Sequence, residues 1–346
     1  MRNQNFIYFF INCKYEFMSL PIILLLIALV FFSYAATFVI KKLAQHYQIV
    51  DVPNQRSSHK EITPRGGGLA IIITWFAGIT ILFFAGQLEE NLYYAFLCGA
   101  LLAIISLLDD VINLSPNIRM ITQIVVSIGA FLLLKGIKPV VLGGFELDIK
   151  FILYPVTIFG MVWFINLYNF LDGIDAYVSI EAIFLAAVFF LFTGSSIVLI
   201  LIAAVLGFLF WNWPKAKIFM GDVGSTQLGF ILVVLGIYFH NQNEVSIIYW
   251  VLLTSPFWFD ATFTLFRRWR NKETLSQAHK KHAYQRIVQS GFSHLKTDMY
   301  LLGVNGIVFA LVWVARSYEY LLLPAFVLIV TFLYLLTKQI DKRKSF

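Results

Sequence analysis

The sequence predicts an all-α, polytopic integral membrane protein with about eleven spanning helices. Three observations carry that reading. The 346 residues are 60% hydrophobic and only 13% charged. Mean hydropathy is +0.79. The apolar surplus falls in repeated runs of about 17 to 23 residues, parted by short polar connections. A soluble core cannot hide that much apolar surface, so soluble classes are excluded. The net charge of +7 is read as topology, since cytoplasmic loops collect Lys and Arg, and no nucleic-acid motif is present.

In order, the apolar segments are roughly 20–40, 69–85, 92–108, 119–135, 151–168, 177–193, 196–212, 226–240, 246–266, 299–315 and 320–337. Residues 1–17 are read as an N-terminal extension, too short for a span and without a cleavage site, ahead of one transmembrane domain over 18–346, with Met18 as an alternative start. Cys13 and Cys98 suggest neither a disulfide framework nor a metal site. Connections alternate between two sides. One side takes 41–67, 109–118, 169–176, 213–225, 267–298 and the tail, and with the adjacent helix ends it holds 20 of the 26 Lys and Arg residues. That side is expected to be cytoplasmic, with the N-terminus outside and the C-terminus inside. The opposite connections are short and bland apart from 135–150, where Gly143-Gly144 marks a turn with a strand pair beside it.

All the chemically suggestive sequence falls on the basic side, although the alternation was set by hydrophobicity alone. Asp222, between Gly221 and Gly224, suits a bound cation or phosphate, with Ser225 placed to cap the next helix; a tight interhelical turn is the duller reading. Arg56, His59 and Arg65, the last just before Gly66-Gly67-Gly68, make either a phosphate site at a helix N-terminus or a positive anchor with a hinge. Asp109-Asp110, tight against an apolar run, imply a cation, a proton or free hydration. Asn166, Asn169 and Asp172 are three apart and share a helical face, where they either present two amides and a carboxylate or cap the flanking spans. His279 and His282 share a face near Lys280, Lys281 and Arg286, which reads as a pyrophosphate-binding cluster rather than zinc or an ordinary solvated loop. Glu181 and Asp260 lie inside spans and are expected to border one inward-open pocket.

Together these stretches resemble the polyprenyl-phosphate N-acetylhexosamine-1-phosphate transferases of glycosyl transferase family 4. The resemblance runs from about Asp51 to Arg286 and rests on D-x-P-N-x-R-x-x-H with P-R-G-G-G, Asp109-Asp110, N-x-x-N-x-x-D-G-I-D, F-M-G-D-x-G-S and H-x-x-H-A-Y-Q. The histidine motif and the span count look most like enzymes that initiate O-antigen or other surface glycans. The family pattern has Gly where this chain has Ala176.

The resemblance implies transfer of an N-acetylhexosamine 1-phosphate from a UDP-sugar to undecaprenyl phosphate in a bacterial inner membrane, with release of UMP and a requirement for Mg²⁺, or Mn²⁺ in its place. Carried over residue by residue, it makes Asp109, Asp110, Asp172 and Asp175 the catalytic set. Asn54, Arg56, His59, Arg65, Asn166, Asn169, His279, His282 and Arg286 bind substrate, and Asp222 with Asn169 holds the metal. Expected partners are undecaprenyl phosphate, the UDP-N-acetylhexosamine and the bilayer, with a homodimer allowed. The residues make chemical sense of this: both substrates are polyanions that a carboxylate-rich face repels unless a divalent cation intervenes. A lipid phosphate is largely dianionic above pH ~6, which favours its direct attack over a covalent enzyme intermediate. A transporter of an anionic metabolite is the competing reading, but such sites sit near the membrane midplane between repeated halves, and no repeat is present.

Overall fold

The fold is taken from a computed structural model that describes residues 19–53, 61–112, 114–142, 145–275, 277 and 279–346. Thirteen α-helices occur among the described residues, with one 3-10 turn and two small hairpins. In chain order they are α1 (Leu20–His46), the pair β1 (Val50–Asp51) and β2 (Thr63–Pro64), α2 (Gly68–Phe84), α3 (Glu90–Ile112) and α4 (Pro116–Leu133). The hairpin β3 (Val140–Leu142) and β4 (Phe145–Leu147) leads into α5 (Lys150–Leu171), α6 (Tyr177–Thr193), α7 (Ser196–Asn212) and α8 (Asp222–Asn241). The chain closes with α9 (Ile247–Leu253), α10 (Ser255–Arg270), α11 (Ala283–Gln289), α12 (His294–Ser317) and α13 (Leu322–Arg343).

Each apolar segment read from the sequence lies on a helix. Seven helices are long and apolar enough to cross a membrane, while α2, α6 and α7 are shorter apolar helices of 17 residues each. The ninth segment is not one helix but two. It divides at Thr254, just before Pro256 in the first turn of α10, where the missing N–H and the fixed φ of proline favour a fresh start over continuation. The strand pair expected near Gly143-Gly144 is present, with Val140 opposite Leu147 and Leu142 opposite Phe145; the two glycines themselves lie outside the described residues.

The bundle is organised around α8. Its apolar residues run round every face, and 94% of its best 18-residue window is buried, against 17% for α1, whose residues largely face outward. A helix apolar all round belongs inside a bundle, and α8 packs against α2, α3, α4, α5, α6 and α9. Its seam with α2 is close: Gly68 faces Gly224 with backbone against backbone, and a Cβ on either would collide with the other helix. Gly67 and Gly68 of P-R-G-G-G therefore serve close packing, while Gly66, with φ 90° and open space around it, serves the turn into α2.

Ala176 adopts φ 63° at the entry to α6, a left-handed conformation in which Gly has no steric cost, and its N–H donates to Asn212 Oδ1 at 2.9 Å. Ala176→Gly is expected to stabilise the protein by about 1 kcal/mol, read as a rise in the detergent-solubilised melting midpoint. A fall in that midpoint would show that the loop does not strain Ala176.

Candidate active site

Backbone hydrogen bonds zip two of the motif loops together. Phe219 N–H donates to Pro64 O at 2.8 Å, Gly67 N–H to Phe219 O at 2.9 Å and Gly68 N–H to Met220 O at 2.8 Å, so P-R-G-G-G and F-M-G-D run side by side. Gly221 follows with φ 77°, and a Cβ there would lie 2.8 Å from Asp110 Oδ2. Glycine at this position lets the Asp110 carboxylate reach the start of α8. It accepts from Asp222 N–H and Val223 N–H, each at 3.2 Å, and so caps α8 from a neighbouring helix. Ser225, expected to cap, instead sits within the first turn and donates to Gly221 O at 3.3 Å.

Asp109 and Asp110 are buried and engaged, which sets aside free hydration, one of the three readings of the pair. Asp109 Oδ1 accepts from Leu114 N–H at 2.6 Å, and Oδ2 takes Arg119 Nη1 at 2.9 Å. The same Arg119 nitrogen stands 3.6 Å from Asp222 Oδ2, so one guanidinium bridges two motifs. Arg65 donates to the Asp110 carbonyl and lies 3.7 Å from Asp110 Oδ1. Arg119 opens an apolar segment, where a lone Arg reads as an interfacial anchor. Its signal is its place in the first turn of the helix that follows the paired Asp motif.

The third loop joins this cluster in part. Asn169 hydrogen-bonds to the Asp222 carboxylate. Asp172 follows α5, where burial and the carboxylates of Asp222, Asp110 and Asp175 push its pKa well above the usual carboxylate range. Asn166 points elsewhere: its amide donates to Gln123 Oε1 at 2.6 Å and to the Val162 carbonyl at 2.8 Å, tying α5 to α4. Asp175 uses Oδ2 to accept from Ala216 N–H at 3.2 Å, joining this loop to the approach to α8.

The histidine loop is held against the same end by aromatic stacking. Tyr284 stacks on Tyr177 at 4.7 Å and on His282 at 6.0 Å, and its hydroxyl donates to Phe170 O at 3.3 Å. Gly173 leaves room for that hydroxyl. His282 is buried, with Nδ1 3.7 Å from Asp260 Oδ1. Burial, His282 and Arg268 lower the His279 pKa to about 4, so at neutral pH it is an uncharged hydrogen-bonding group rather than a phosphate-binding cation. Arg286 is also buried, and Nη1 pairs with Asp341 of α13, which holds Arg267 as well at 3.0 Å; its charge serves the C-terminal helix. Asp260 borders a cavity of about 60 Å³ with Tyr177 and Tyr284. Glu181 does not share it, because it is sealed in the core and accepts from Asn305 Nδ2. Asn54, Arg56 and His59 lie outside the described residues.

Fold and site thus define a polytopic helical membrane protein that gathers carboxylates and arginines at the N-terminus of its central helix, a setting for polyanionic substrates. A family model described as glycosyl transferase family 4 matches residues 92–240, which include Asp109, Asp110, Asp172, Asp175 and Asp222. The probable undecaprenyl-phosphate N-acetylglucosaminyl 1-phosphate transferase of Bacillus subtilis (strain 168) is 34% identical over 313 residues, 85% of each chain. The undecaprenyl-phosphate alpha-N-acetylglucosaminyl 1-phosphate transferases of Salmonella typhi and Escherichia coli (strain K12) are 26% and 27% identical over 328 residues, 89% of this chain and 87% of theirs. The chain belongs to glycosyl transferase family 4.

Proposed function

We propose that the protein transfers a sugar 1-phosphate, with N-acetylglucosamine 1-phosphate the first choice, from its UDP donor to undecaprenyl phosphate. UMP leaves, and the product is the first lipid-linked sugar of a cell-surface glycan. One observation carries this reading: Asp109, Asp110, Asp172 and Asp222 converge with Arg65 and Arg119 at the start of α8. Relatives that cover 85% or more of the chain and are named for this transfer support it. A transporter is not favoured, since the polar groups gather at one end of the bundle.

The donor set fits a hard divalent cation. Among the described residues no three of His, Cys, Asp and Glu form a ready metal cage. Mg²⁺ does not need one, because it keeps waters and takes one or two carboxylates together with substrate phosphates. Asp222 and the Asn169 amide oxygen would hold it, or Mn²⁺ in its place. When bound, the ion supplies charge neutralisation of the donor pyrophosphate and eases departure of UMP. Arg119 and Arg65 orient the carboxylates, and the lipid phosphate oxygen attacks the β-phosphorus of the donor as the P–O bond to UMP breaks.

The engagement of Asp109 and Asp110, whose oxygens accept from N–H donors and the Arg119 guanidinium, supports a single displacement. Purified protein given undecaprenyl phosphate, UDP-N-acetylglucosamine and Mg²⁺ is expected to release UMP continuously. Without lipid phosphate it should give no stoichiometric burst. A sugar-phosphate adduct on Asp109 or Asp110, formed and discharged at catalytic rates, would replace this path with double displacement.

The site is proposed to face the cytoplasm of a bacterial inner membrane, because the connections on its side carry the basic residues. Lys217→Cys, at an exposed position of the approach to α8, is expected to react with a membrane-impermeant thiol reagent only after the cells are opened, in a background with Cys13 and Cys98 replaced. Labelling of intact cells would invert the topology.

A further inference from the structure

The start of α12 carries a polar group that the proposed reaction does not use. His294 is the first residue of that helix, and its Nδ1 stands 3.1 Å from Asp175 Oδ2. The same nitrogen is 3.4 Å from the Asp175 backbone N–H. Nδ1 thus meets both the backbone and the carboxylate of Asp175.

We propose that His294 is a positioning residue for the D-G-I-D loop, gripping Asp175 through Nδ1. The inference rests on the transferase reading of the site. Asp175 Oδ2 receives His294 from α12 and Ala216 N–H from the approach to α8, so one oxygen ties three segments together. The loop it anchors also carries Asp172. Through this grip α12, which lies beyond the stretch matched by the family model, sets where Asp172 stands relative to Asp222. A carboxylate held by a second layer of side chains keeps its geometry through the reaction, whereas one left to a free loop does not.

The test uses the full-length protein in detergent or nanodiscs. His294→Leu removes the ring nitrogen and is expected to lower kcat by ~10- to 100-fold while KM for the UDP-sugar stays within about 3-fold, because the grip acts on alignment rather than on donor binding. Asn places a polar amide where Nδ1 was, so His294→Asn should lose less than the Leu variant, by about 10-fold. Hydrogen exchange across 172–176 is expected to quicken in His294→Leu while α8 stays protected, a readout that does not depend on turnover.

Wild-type kcat together with unchanged exchange in His294→Leu would overturn the grip on Asp175. If the Leu variant does not fold, His294→Asn decides the matter by the same kcat and exchange measurements. Failure of the transferase reading would look different: the wild-type protein itself would release no UMP, while the exchange arm would still report on the grip.

Discussion

Asp222→Asn is expected to leave a folded protein that releases UMP at least ~100-fold more slowly than the parent at every Mg²⁺ concentration tried. Asp222 opens the central helix, where its carboxylate meets the Asn169 amide and stands 3.6 Å from Arg119. The amide keeps the shape and one acceptor but removes the charge that makes this position attractive to a divalent cation. Stability should hold or rise slightly, because the change removes one negative charge from a crowd that includes Asp109, Asp110 and Asp172. Near-parental turnover with an unchanged Mg²⁺ dependence would move the cation to Asp172 or to a residue beyond this cluster.

Asp110→Ala is expected to damage both fold and function. Its carboxylate supplies the acceptors for the first two N–H groups of α8, so alanine leaves Asp222 N–H and Val223 N–H without a partner at a buried helix start. Loss of such a cap costs about 1–3 kcal/mol, and the melting midpoint in detergent should fall accordingly. Turnover should fall with it, since the same contact fixes the angle at which Asp222 leaves the helix. Asp110→Asn keeps one acceptor oxygen and should recover much of the stability while remaining impaired. Equal midpoints for the Ala variant and the parent would show that α8 does not depend on this cap.

Much of this architecture was legible from the residues because lipid imposes a simple rule: apolar runs become helices. Every apolar segment lies on one, and only the ninth hid a division, for which Pro256 was the available sign. The motifs were legible as a set, but their inner assignments were not, because chemical type does not reveal where a side chain points. Asp109 and Asp110 read as a pair awaiting a cation, a proton or water, yet each is held by donors from a different stretch of chain. Arg286 read as a phosphate ligand, whereas Asp341, some fifty-five positions away in sequence, claims it. Arg119 and His294 drew no attention because each stands alone at a helix start, and a single charge there usually does no more than anchor the helix at the interface. Two glycines of the first loop looked like freedom and proved to be contact, since Gly68 needs Gly224, more than 150 residues away, to show why it is small.

The burial of α8 also bears on how the chain is made. Most helices of a polytopic protein can rest in lipid while they wait for neighbours, but α8 begins with Asp222 and has almost no outward face to rest on. Apart from α9, the helices it packs against are α2 through α6, all of which leave the ribosome before it. The slot for α8 can therefore be assembled first and filled on arrival, and the candidate site comes into being only at that step, when the acidic start of α8 meets Asp110 and Arg119. A nascent chain stopped before residue 222 lacks both the N–H groups that Asp110 accepts from and the carboxylate that shares Arg119, so the cluster cannot close until this late helix docks.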